Sequence, residues 1–294
     1  MRLSDVVFHS PRTVEDAFRL LAELKDARVA AGGTDLLVDL KQGLVKVRDI
    51  LSLKQVEELK GIDRKNNTIR VGALVTPQEI INSPLIKKYI PALQDAARSM
   101  ASFQIRSIAT IGGNISSAVP SADLPPILIA ADASVELRCA DASREILLSD
   151  FFIGPRETVC RCEELLTQVL IPLPPPNTGM SYQKFSLREA NALAVASVAS
   201  RLTMKKGRIE RAAIVLGAVS PTPAFSAKAT EFLIGKDPSS SLFEEAGRLA
   251  KEECSPISDI RGTIWFRKEL IPVLTRRSLS QALKRAQEKS RRRK

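Results

Sequence analysis

The residues able to do chemistry lie in two stretches with almost no bulk. Ala109 to Asp123, ATIGGNISSAVPSAD, passes from a short apolar lead into Gly112-Gly113-Asn114, then into the small residues around Ser116, Ser117 and Ser121, and ends at Asp123. Glycine and serine leave backbone N–H groups bare and close to whatever binds, which suits the oxygens of a phosphate. Val29 to Leu37, VAAGGTDLL, is built alike: a β-like run ends in Gly32-Gly33, and Thr34 and Asp35 suit the cap of a following helix. Free amides and a helix N-terminus would then converge on an anion. Either Gly pair alone also suits a tight turn; together they point to a pyrophosphate held between them. Asp123 is placed either to accept from a ribose or ribityl hydroxyl or to cap a helix opening at Leu124. Neither stretch has the Gly-x-Gly-x-x-Gly or Gly-x-x-x-x-Gly-Lys-Ser/Thr spacing of the common phosphate loops.

Beyond these stretches the chemical inventory is thin. His9 is the only histidine, and Cys139, Cys160, Cys162 and Cys254 form no Cys-x-x-Cys pair. Zinc and iron–sulfur ligation are therefore not expected, nor is Ser-His-Asp or Cys-His catalysis. A chain so equipped relies on a cofactor for any reaction. The formal charge of +11 invites a nucleic-acid reading, but Lys284 to Lys294 alone carries seven Lys or Arg against one Glu, and only 4% of the chain is aromatic. A solvated basic tail is the simpler expectation. No apolar run reaches the roughly 20 residues of a membrane span, and the N-terminus lacks a secretory pattern, so the expectation is a cytoplasmic protein.

The elements that must position the two stretches follow from local signals. Thr13 is a helix cap, with Ala17, Leu20, Leu21 and Leu24 as an apolar stripe; Arg28 to Ala31 and Val47 to Leu51 read as strands. Thr68 to Ala73 is a strand, Thr76-Pro77-Gln78-Glu79 opens a helix that Pro84 interrupts, and Ala92 to Ser102 is a further helix. The second Gly-Gly stretch is then expected at the end of a helix, in an extended or turning path. Leu124 to Ala131 reads as a helix, Ser134 to Arg138 and Leu165 to Ile171 as strands. The first unit is βαβ-like and ends near Lys60-Gly61, and the prolines at 172, 174, 175 and 176 make a linker, so the chain divides into residues 1–60, 61–176 and 177–294. In the last part Ser181 to Ser186 and Arg211 to Ser220 are strands, Ala190 to Thr203 is amphipathic or strand-like, and Leu242 to Lys251 and Ile260 to Ser290 are helices.

VAAGGTDLL, then ATIGGNISSAVPSAD, then Tyr182-x-Lys184 and Arg188-Glu189 after the proline linker resemble the FAD-binding medium subunit of the molybdenum hydroxylases, the family of xanthine dehydrogenase and aerobic carbon monoxide dehydrogenase. IRVGALVTPQEI is similar to the opening of that family's second subdomain. The resemblance implies an α+β fold: a PCMH-type FAD-binding domain of two α/β subdomains, followed by a C-terminal α+β domain of the CO dehydrogenase flavoprotein type. It implies FAD contacts at Val29, Ala30, Ala31, Gly32, Gly33, Thr34, Asp35 and Leu36, and at Ala109, Thr110, Gly113, Asn114, Ser116, Ser117, Ala122 and Asp123. Leu166 and Lys184 match positions near the flavin ring, with Met100 and Ala101 flanking it; strand core and a solvated strand end are the bland alternatives for the first two. Tyr182 either covers the ring, as a tyrosine does in some members, or packs. Asn191-Ala192 departs from the acidic residue many members carry, and no cysteine-bearing insertion lies between Asp123 and Ser134, so an additional cluster is not expected.

The role so implied is that of an electron-transfer subunit, with no catalytic side chain and no metal of its own. Its partners would be a molybdopterin-binding large subunit and a 2Fe–2S small subunit, and its acceptor NAD, oxygen or a quinone. A stand-alone FAD-dependent oxidoreductase would need its own acid or base, and a nucleic-acid-binding protein would depend on the basic tail.

Overall fold

The structure is a computed structural model that describes residues 6–24 and 26–291. Three main sheets succeed one another along the chain. The first is parallel and three-stranded, in the order β1 (Val7–His9), β3 (Asp49–Ser52), β2 (Arg28–Ala30). Its crossovers are α1 (Val14–Glu23) and α2 (Leu36–Gln42). Thr13 caps α1 by accepting from the Asp16 N–H at 3.1 Å, as its position predicts.

The second sheet is antiparallel and five-stranded. It begins with β4 (Ile62–Lys65) and β5 (Thr68–Gly72). Six helices follow: α3 (Pro77–Asn82), α4 (Pro84–Tyr89), α5 (Pro91–Ser99), α6 (Phe103–Arg106), α7 (Ile111–Ser116) and α8 (Leu124–Ala130). The sheet resumes with β6 (Ser134–Arg138) and β7 (Ser143–Leu147); a small hairpin, β8 (Phe152–Gly154) and β9 (Glu157–Thr158), precedes β10 (Leu165–Pro172). Its order is β4-β5-β10-β6-β7. β10 sits at the centre, which explains why five of the eight positions of LLTQVLIP are buried and only Pro172 is exposed. Thr76 and Glu79 form a reciprocal capping box with Pro77 at the first helical position, and Pro84 starts α4 because it cannot continue α3.

The third sheet is a meander of β11 (Thr178–Phe185), β12 (Ala196–Lys205), β13 (Arg208–Gly217) and β14 (Ala224–Phe225). After it come α9 (Ala227–Leu233), α10 (Ser240–Glu252) and α11 (Ile264–Arg291). Both faces of this sheet are buried, and the two-residue alternation sorts the side chains. Val198, Leu202, Ile214 and Leu216 pack under α9 to α11, whereas Tyr182, Ala199, Ala213 and Val215 join the core of the second sheet and its helices. The segment expected to be strand-like from Ala190 settles into β12 only at Ala196. The expected solvated tail is partly structural. Arg285, within α11, donates to Met180 O at 2.9 Å and to Asp95 at 2.6 Å; residues 292–294 lie outside the described residues.

Candidate functional site

The two Gly-Gly stretches pack backbone to backbone. A Cβ on Gly32 would stand 2.0 Å from Ile108 O and 2.9 Å from Ala109 Cα. A Cβ on Gly113 would meet Thr110 Oγ1 at 2.9 Å and Ala31 Cβ at 3.9 Å. Glycine at 32 therefore permits the approach of one loop to the other rather than merely baring an amide. Gly33, at φ +72°, occupies the left-handed region and turns the chain out of β2 into α2.

The second stretch corrects the expectation of a turning path, because Ile111–Ser116 is the helix α7, capped by Thr110 through the Gly113 N–H at 3.0 Å. Its amides are also not bare: Ile111 donates to Val75 O, Gly112 to Ala73 O and Asn114 to Thr110 O. A consecutive run of available donors lies in the first stretch. Among the described residues, the amides of Gly33, Thr34, Asp35 and Leu36 have no hydrogen-bond partner. Asp35 occupies the cap position of α2, yet its side chain makes no capping bond, which leaves that run of N–H groups open.

These residues line a cleft of about 610 Å³. Val29, Ala30, Ala31, Gly32, Gly33, Thr34, Asp35 and Leu36 line it, as do Ala109, Thr110, Gly113, Asn114, Ser116, Ser117, Ala122 and Asp123. Met100, Ala101 and the segment Asn191-Ala192-Leu193 close one side. A larger cleft of about 1460 Å³ shares Arg28, Val29, Ala31, Gly113 and Ser116 with it and contains Leu166, so the two adjoin. Leu166 itself is buried beside a β-bulge in β10, a feature that re-aims side chains near sites. Cys160, also in the larger cleft, has its thiol pushed up to about 11 by burial, with the Glu164 carboxylate adding to the shift.

Lys184 and Tyr182 line neither cleft. Two apart on β11, they share a face and converge on Asp123. Lys184 Nζ reaches Asp123 Oδ2 at 2.9 Å and Ser99 O at 2.9 Å, and the Tyr182 hydroxyl donates to Asp123 Oδ1 at 2.7 Å. Both members of the ion pair are more than nine-tenths buried, so Lys184 is no solvated strand end. Burial raises the Asp123 carboxyl above its ordinary range, and Lys184 and Tyr182 pull the other way. Burial next to Asp123 also raises the Tyr182 hydroxyl well above its usual value, so it stays a donor. Asp123 stands at the cap position of α8 but makes no capping bond there. Among the cleft-lining residues missed from sequence are Asp39, Ile105 and Arg156, whose local sequence carries no ligand signal.

The first 174 residues decide what kind of chain this is. Residues 4–174 match the family model described as the FAD binding domain in molybdopterin dehydrogenase. The chain belongs to that family. Residues 181–282 match a second model, the CO dehydrogenase flavoprotein C-terminal domain. The carbon monoxide dehydrogenase medium chain of Afipia carboxidovorans is 31% identical over 280 residues, covering 95% of this chain and 97% of that one. A putative xanthine dehydrogenase FAD-binding subunit of Escherichia coli is 28% identical, covering 94% and 95%. A chain in a structure of carbon monoxide dehydrogenase from Hydrogenophaga pseudoflava superimposes with a TM-score of 0.94 at 28% identity, covering 97% and 99%. The α+β architecture implied by the resemblance is thus that of this FAD-binding family, and the chain is an oxidoreductase component.

The groove fits FAD on its own terms. Four unpartnered amides offer donors to a pyrophosphate, and Asn114, which lines the same cleft, has a buried Oδ1 without a hydrogen-bond partner, an acceptor for a ligand hydroxyl. An extended groove formed by two adjoining clefts suits a long dinucleotide better than a compact ligand. Two of the three carboxylates in the smaller cleft are tied to cations, Asp39 by Arg156 and Asp123 by Lys184, which reduces repulsion of an anion.

Proposed function

We propose that this chain is the electron-transfer subunit of a molybdenum hydroxylase-type complex, seated between a 2Fe–2S partner subunit and an external acceptor. FAD bound in the groove supplies the redox chemistry, since a flavin takes up and releases electrons one or two at a time. The chain's own residues bind and orient. The amides of Gly33 to Leu36 meet the pyrophosphate, Ala31 and Gly113 allow its close approach, and Asp123, held by Tyr182 and Lys184, keeps acceptor capacity for a sugar hydroxyl. Met100, Ala101 and Leu166 supply apolar contact. Lys184 acts through Asp123, fixing a neutralised carboxylate at the edge of the cleft.

The observation that carries the reading is the run of unpartnered amides from Gly33 to Leu36, which line one cleft. Electrons from the partner's clusters would leave through this chain to NAD, oxygen or a quinone, while a molybdopterin-binding subunit does the hydroxylation. The division at residues 60 and 176 belongs to this reading, supported by each sheet lying within one part. The test is an absorbance spectrum of the full chain, desalted after incubation with FAD and again after co-expression with the two partner subunits. Retained flavin bands, with added iron–sulfur absorbance in the complex, are expected. A colourless chain that takes up no FAD overturns the reading.

A further inference from the structure

Arg156 connects the two Gly-Gly stretches through a third element. Its own N–H donates to Ala118 O at 2.9 Å, just beyond α7 and within the second stretch. Its guanidinium reaches into α2, just beyond the first stretch, with Nη1 at 2.6 Å and Nη2 at 3.5 Å from the Asp39 carboxylate. Asp39 is largely buried, and its N–H in turn donates to Asp35 O at 2.9 Å, within the run of open amides. Arg156 and Ala118 both have left-handed backbones, at φ +63° and +45°. Non-glycine residues hold that conformation only where their surroundings over-determine it.

We infer that Arg156 is a positioning residue that locks the two Gly-Gly stretches in register for the cofactor, its main chain holding one and its side chain the other through Asp39. The inference rests on the FAD reading above. Its guanidinium is half-exposed at the cleft, so the pair is too solvated to be explained as core stabilisation. What it fixes is the pose of α2, and with it the direction of the amides from Gly33 to Leu36. A loosened α2 would leave FAD able to enter and quicker to leave.

The test is FAD titration of the full apo chain, followed by quenching of flavin fluorescence, for wild type, Arg156→Gln, Asp39→Asn, the double variant and Arg156→Lys. Arg156→Gln and Asp39→Asn are each expected to raise Kd about tenfold, mostly through faster release, with the double variant no worse than either single and Arg156→Lys recovering part of the loss. Should Arg156→Gln fail to fold, Asp39→Asn and Arg156→Lys carry the same comparison. Binding within twofold of wild type in every variant overturns the inference while leaving the FAD reading intact. Weakening by Arg156→Gln alone, with Asp39→Asn unaffected, also overturns it, because Arg156 would then act without Asp39. A wild type that takes up no FAD overturns both.

Discussion

A methyl group is enough to disturb Gly32. The Cβ of Gly32→Ala would fall 2.0 Å from Ile108 O, a backbone atom that cannot swing aside. The substitution is expected to cost about 3 kcal/mol, the upper end of overpacking, read as a lower urea midpoint at unchanged slope. Lys184 poses the opposite problem, that of removal. Lys184→Met strands the Asp123 carboxylate in a site that already raises its pKa, and breaking such a buried pair costs about 3–5 kcal/mol near neutral pH. With its folded pKa above the unfolded value, the stranded carboxyl destabilises the variant at high pH and ceases to do so below the ordinary aspartate range. The deficit against wild type should therefore shrink as pH falls, which unfolding curves at several pH values would show; a deficit independent of pH would mean that Asp123 is not what suffers. Tyr182 and Lys184 were legible from sequence as same-face neighbours on a strand. Their common partner was not, since Asp123 lies 61 residues from Lys184 and meets it only through the third sheet.

At the scale of elements, the start of α11 depends on one carboxylate. Asp259 accepts from Arg261, whose guanidinium and N–H hold its pKa well below the aspartate range, and from Arg267 at 2.7 Å. Arg267 is itself buried and donates to Val195 O and Ala218 O, so the same network holds the chain just after the cleft-lining Asn191 to Leu193. A depressed folded pKa stabilises above the unfolded pKa, about 3.9, and that contribution fades as pH falls through the folded value. Asp259→Asn should flatten part of the acid limb of the stability curve below about pH 4; an unchanged limb would show that the network contributes nothing there. Most elements were readable because their signals are local, as with the Thr76 capping box and the apolar run of β10. Helix α7 was not, because two adjacent glycines read as a break; its cap, Thr110, is set by tertiary bonds from Ile111 and Gly112 to the β5–α3 connection.

For the whole molecule, the cofactor groove is assembled from all three parts of the chain, so occupancy should stabilise them together. FAD at a hundredfold excess over its Kd is expected to add about 2.7 kcal/mol, seen as one cooperative thermal transition moving upward, not a split one. The composition and the two Gly-Gly stretches pointed to the ligand class; the contacts that close the groove, such as Asp39 to Arg156 across 117 residues, have no sequence signature. One further consequence lies in the order in which the polypeptide is made. β11, which carries Tyr182 and Lys184, is covered by α11, and Arg285 clasps Met180 from 105 residues downstream. Synthesis runs at about 5–20 residues per second, so on the ribosome the strand emerges seconds before its cover exists. The seat for Asp123 is thus unfinished until α11 has been made. FAD is a guest of a chain that already carries α11, and a ribosome stalled short of α11 should hold an uncoloured product.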